Sequence, residues 1–131
     1  MEAIVREVEP KTLFTHFAHD LNVDHRMEHE AVMTAVRPQP GSGGASVLTV
    51  ETLSRAEGRA PERTLAFGPN WFVDIVDTLE VKLRALGARA EEMRPSPHVR
   101  SRVAVEHLSR WRDMTIGPPA AEALIVASHK A

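Results

Sequence analysis

Imidazole and carboxylate groups ligate zinc and move protons near neutral pH, and this chain crowds them into one stretch. From His16 to His29 it reads HFAHDLNVDHRMEH, with four of the seven histidines together with Asp20 and Asp24. The chain has no cysteine. A metal site would therefore have to use His, Asp or Glu, and a nucleophile would have to be something other than sulfur.

Three readings of this stretch compete. In the plainest, Thr15, His16, Asp20, Asn22 and Asp24 satisfy turn and helix-cap hydrogen bonds around an ordinary loop. In the second, His25, Glu28 and His29 form HxxEH, the inverted zincin pattern of a metallopeptidase. There two histidines one helical turn apart bind zinc and the glutamate activates water. That pattern needs a long helix and a distant third ligand. The third reading depends on the rest of the chain.

The elements that must position these residues follow from hydrophobic periodicity. Ala3, Ile4, Val5 and Val8 have helical spacing and Pro10 stops them, which predicts a short opening helix. Thr12 to Thr15, TLFT, predicts a strand that delivers His16 to His25 into a polar loop. Asp24 is placed to cap a helix over about His25 to Val36, ended by Pro38 and Pro40. Gly41 to Ala45 reads as a flexible turn and Ser46 to Leu53 as a second, alternating strand. Arg55 to Arg63 reads as a surface loop. Asn70 to Ile75 is a compact apolar segment, and Leu79, Leu83, Leu86 and Ala90 form the stripe of a helix running to about Met93. Pro95 and Pro97 break the chain, a helix covers roughly Val99 to Arg112, and AEALIVAS closes the pattern at Ala121 to Ser128. Alternating strands and helices predict a layered α/β sheet with flanking helices.

Composition narrows the function classes. With 131 residues, 43% hydrophobic and 26% charged, the chain suits one domain able to bury a core. A net charge of -2 gives no electrostatic footprint for nucleic acid or an anionic membrane. There is no signal-peptide order at Met1 to Pro10 and no apolar run near about 18 residues. The expectation is a cytoplasmic protein.

Read in order, THFAHDLNVDHR, VETLS, FGPNWFVDI, RPSPHVRSR and AEA resemble the PIG-L family, the LmbE-like zinc-dependent N-deacetylases. The matching residues are Thr15, His16, Asp20, Asn22, Asp24 and His25, then Glu51 to Ser54, Phe67 to Ile75, Lys82 to Leu86, Pro97 to Ser101 and Ala121 to Leu124. The resemblance implies a Rossmann-like fold and hydrolysis of an N-acetyl group on an N-acetylglucosaminyl or related amide. It also implies that His25 is a zinc ligand and Asp24 the acid that tunes its polar network. Where many relatives carry an oxyanion-stabilising histidine, this chain has Asn22, so either Asn22 or the nearby His19 or His16 takes that role. His98 is a candidate for the pocket wall, or else a surface turn residue.

The family's other zinc ligands and its general base lie in an AHPDDE-like motif, which this sequence lacks. A catalytic zinc generally takes three protein ligands and an open water position, and by the resemblance this chain supplies one. The expectation is a C-terminal portion of the PIG-L fold, inactive alone. Its sheet edge would associate with a second copy or with a complementing N-terminal fragment. The rival from another class is a non-catalytic remnant or subunit.

Overall fold

The computed structural model describes residues 1–37, 44–53 and 66–129. Four helices and four strands follow one another as α1 (Glu2–Val8), β1 (Thr12–Thr15), α2 (Val23–Ala35), β2 (Ser46–Val50), β3 (Trp71–Asp74), α3 (Leu79–Gly87), α4 (Arg102–Asp113) and β4 (Ala121–Ser128). The strands form one mixed sheet in the order β1-β2-β4-β3. β1 and β2 run parallel, with Thr15 opposite Thr49. β4 runs antiparallel to both its neighbours, β2 and β3. The fold is thus a mixed α/β sheet with flanking helices.

The burial follows the strand order. The two inner strands carry buried positions along their length, Val47 and Thr49 in β2 and Ala121, Ala123 and Leu124 in β4. Outer strands β1 and β3 are largely exposed, apart from Thr15. A second apolar nucleus joins Ile75, Leu79, Leu83 and Ala120, with Val105 of α4 packed on it. Leu79 and Leu83 are one helical turn apart, so α3 turns that stripe inward. Fully burying such a side chain stabilises by roughly 1.5–3 kcal/mol.

Several boundaries differ from the periodicity. α2 starts at Val23, because Asn22 and not Asp24 is its N-cap: the Asn22 side chain accepts from the backbone N–H of Asp24 at 3.0 Å. An N-cap side chain reaches a free amide of the first turn, and Asp24 is itself inside that turn. β2 ends at Val50 rather than Leu53, since its pairings end at Thr15 on one side and Leu124 on the other. α3 ends at Gly87 rather than near Met93. Glycine is a poor helix former, and Ala90 beyond it is exposed. α4 starts at Arg102 rather than Val99, capped by buried Ser101, whose Oγ accepts from the Ala104 N–H at 3.1 Å. The proposed helix stop at Pro38 and Pro40, most of the Gly41 to Ala45 turn and the loop at Arg55 to Arg63 lie outside the described residues. Among the described residues no helix is long and apolar enough to cross a membrane.

Candidate functional site

β1 and β2 are parallel and end at the same side of the sheet, which is where open α/β sheets place their ligands. The residues that leave those ends meet. Thr15 closes β1 and is followed by His16. Thr52 lies two residues past β2, and its Oγ1 is 3.4 Å from Nδ1 of His16. The turn after His16 then brings α2 back over it, and the imidazoles of His16 and His25 stack with centroids 3.6 Å apart and planes only 2° from parallel.

Three contacts fix this stack. Nε2 of His16 lies 3.4 Å from Glu28 Oε2. Nδ1 of His29 pairs with the backbone carbonyl of His16 at 2.8 Å, so one turn of α2 holds both the ring and the main chain of the strand end. Asp20, almost wholly buried, has Oδ2 3.1 Å from Nδ1 of His25. That contact is electrostatic in character, since Nδ1 of His25 is buried without a hydrogen bond. The other Asp20 oxygen, Oδ1, accepts from the Asn22 N–H at 2.8 Å. Arg26 ties the turn from below by donating to the carbonyls of Asp20 and Leu21 at 2.7 and 2.8 Å.

A carboxylate that accepts from Nδ1 of a histidine leaves the Nε2 lone pair free for a metal; here the Asp20 charge lies 3.1 Å from Nδ1 of His25 without that hydrogen bond. The donor set present here fits one ligand of a zinc site. Among the described residues there is no group of three His, Asp or Glu able to hold a metal ion.

The structure brings some sequence candidates together and disperses others. His25 sits at the centre with Asp20 behind it, whereas Asp24, expected beside it, is exposed on the first turn of α2. The acidic neighbour of His25 is therefore Asp20. Asn22 uses its Oδ1 as a cap, which leaves its amide nitrogen for donation. His19 is exposed and meets Phe17 edge-on at 5.5 Å. His98 is in an exposed turn, where its Nδ1 accepts from the Arg100 N–H at 3.0 Å, the surface-turn alternative. For the HxxEH pattern, Glu28 and His29 both turn toward His16, and that reading draws no support from their geometry. The turn-and-cap reading holds for Asn22 and for Oδ1 of Asp20.

Sequence reasoning marked Glu51 within VETLS but missed its partner. Glu51 and Arg112 form a two-pronged ion pair, with both side chains less than one-fifth exposed. They lie 61 residues apart, so no local spacing marks them. Glu51 adjoins Thr52, and through it the His16 stack.

No family model matches the chain, and no curated protein matches it. Solved structures do. The conserved protein TT1542 from Thermus thermophilus is similar over 99% of this chain with a TM-score of 0.74 and 15% identity. GalB, the 4-carboxy-2-hydroxymuconate hydratase from Pseudomonas putida, is similar over 99% with a TM-score of 0.68 and 18% identity. This chain spans 57% of the length of each. At such identities the likeness is one of fold.

Proposed function

We propose that this chain is a portion of a PIG-L-like, Rossmann-type zinc-dependent N-deacetylase, and that its contribution to the active site is His25. The observation that carries the reading is the His25 imidazole, backed by the buried Asp20 carboxylate at the carboxyl end of edge strand β1. Nε2 of His25 would be one metal ligand, and the remaining ligands would come from the part of the fold beyond that edge. Zinc, when bound, polarises the amide carbonyl and lowers the pKa of a bound water. Asp20 places its charge beside Nδ1 of His25, His16 stacks on that ring with Glu28 at its own Nε2, and Asn22 or His19 is a neutral or ionisable donor for the carbonyl oxygen. The substrate class is an N-acetylated sugar or conjugate. The general base is supplied elsewhere, so the chain alone is inactive.

Zinc titration followed by NMR of the histidine rings tests this. The chain alone should bind zinc weakly, with the His25 signals moving first and the response lost in His25→Ala. Equal perturbation of His98, His107 and His129, unchanged by His25→Ala, would refute the assignment. A second reading comes from the hydratase: water addition to an unsaturated carboxylated substrate, on the same half-site. Acetate release from N-acetylglucosamine conjugates against loss of the absorbance of a conjugated diene, in a completed assembly, separates the two.

A further inference from the structure

α3 and α4 build a groove that the histidine cluster does not use. Near the start of α3, Lys82 pairs with Glu122 at 2.7 Å, and Glu122 opens β4 beside the carboxyl end of β2, where Val50 pairs with Leu124. Arg112, near the end of α4, pairs with Glu51 at the same end of β2. The other ends of the two helices, Gly87 and Arg102, therefore lie on the side of the fold away from His16 and His25. Between them is a groove of about 490 Å³, within the range of about 300–1,000 Å³ typical of small-ligand sites.

Its floor is apolar, with Leu83, 1% exposed, beside Ala90 and Met93. Its rim carries three guanidinium groups, those of Arg84, Arg94 and Arg102, and no acidic side chain lines it among the described residues. Arg84 has no hydrogen-bond or ion-pair partner among those residues. Arg94 donates from Nη1 to the Glu91 and Met93 carbonyls at 2.8 and 2.9 Å, which fixes the side chain and leaves its other nitrogens to donate. Arg102 uses Nη2 on the Glu80 carboxylate at 3.0 Å, in an ion pair more than half exposed on both sides. Such a pair contributes little, so a better anion can displace it.

Gly87 keeps the groove open. Glycine is a poor helix former, and at helix ends it usually serves by taking a positive φ. Here α3 closes in right-handed geometry at Ala88, and the positive-φ glycines among the described residues are Gly44 and Gly117. Packing does not require glycine either, since a Cβ at this position would meet no atom within 4 Å. What the missing side chain provides is volume in the groove.

We propose that this groove binds a phosphate monoester whose organic part is small and apolar. Guanidinium forks match phosphate oxygens two at a time. Three of them suit the three free oxygens of a monoester better than the two of a carboxylate, while Leu83, Ala90 and Met93 take the apolar group.

Phenyl phosphate titrated into this 131-residue chain and followed by amide NMR tests the proposal. The amides of Gly87, Ala90, Met93 and Arg102 should move on one saturable curve, at least about tenfold tighter than with inorganic phosphate or benzoate. Arg84→Gln should weaken binding at least about fivefold and leave the melting temperature within about 2 °C, because that side chain holds no partner. Arg89→Gln removes the same charge outside the groove and should change the affinity less than about twofold. Glu80→Gln releases Arg102 and should tighten binding. Gly87→Leu fills the groove with no clash at Cβ, so it should weaken binding at least about tenfold while the melting temperature holds or rises. Equal affinity for phenyl phosphate and either control anion, equal losses in Arg84→Gln and Arg89→Gln, undiminished binding to Gly87→Leu, or no saturable shift at millimolar phenyl phosphate would each overturn the proposal. Neither zinc nor His25 enters these readouts, so the metal reading stands or falls separately.

Discussion

Thr15 and Thr49 are paired in register across β1 and β2, each is 2% exposed, and neither hydroxyl finds a hydrogen-bond partner among the described residues. A buried hydroxyl left unpaired costs about 1–3 kcal/mol, so replacing it with a methyl group of nearly the same shape should recover part of that cost. The expected gain is about 1 kcal/mol for Thr15→Val or Thr49→Val singly. An unfolding entropy of about 2.1 cal/mol/K per residue over 131 residues amounts to about 0.28 kcal/mol/K. One kcal/mol then raises the melting temperature by about 3–4 °C. The double variant should gain less than twice that, because the two side chains are neighbours and their effects couple. Valine also has the higher strand preference of the pair on a half-buried pleat, which acts in the same direction. Thermal and urea denaturation followed by circular dichroism read the effect. A loss of more than about 1 kcal/mol in both single variants would refute the reasoning. It would mean that an ordered water or another polar group bridges the two hydroxyls, and that the end of the β1–β2 pair is a polar site.

Two further outcomes follow from the hydrogen-bond geometry. Asn22→Ala should cost about 1 kcal/mol and fray the start of α2, whereas Asp24→Ala should change stability less, because only Asn22 caps a backbone amide; urea midpoints compare them, and a larger loss for Asp24→Ala would return the cap to that residue. Arg112→Met should cost about 3 kcal/mol by leaving the Glu51 carboxylate buried without its partner, and the added change Glu51→Gln should restore part of it; a double variant less stable than Arg112→Met would show that Glu51 has a stabilising role apart from the ion pair.

Much of the fold was legible because the signals are local. TLFT, bounded by Pro10 and a polar loop, gave β1 its limits, and the Leu79 and Leu83 spacing gave the inward face of α3. Boundaries went astray where tertiary pairing decides them: β2 could not be ended at Val50 without knowing that its partners stop there. The site shows the same division. A histidine-rich turn is visible in one dimension, but the identity of the acid behind His25 is not. Asp24 is adjacent in sequence and points to solvent, while Asp20 reaches the ring only because Asn22 starts the helix two residues before Asp24 and folds the turn back. The choice of N-cap therefore sets which carboxylate serves the imidazole. A cap shifted to Asp24 would unwind the first turn of α2, move His25 off the His16 ring and release Asp20 from Nδ1. This ties a local capping preference of about 1 kcal/mol to the stacking of His16 on His25 and to the Asp20 contact at Nδ1. Asn22→Ala should for that reason loosen the His25 ring as well as lower fold stability, read as a change in the His16 and His25 ring signals by NMR, and on the proposed reading it should weaken any zinc response at His25 too.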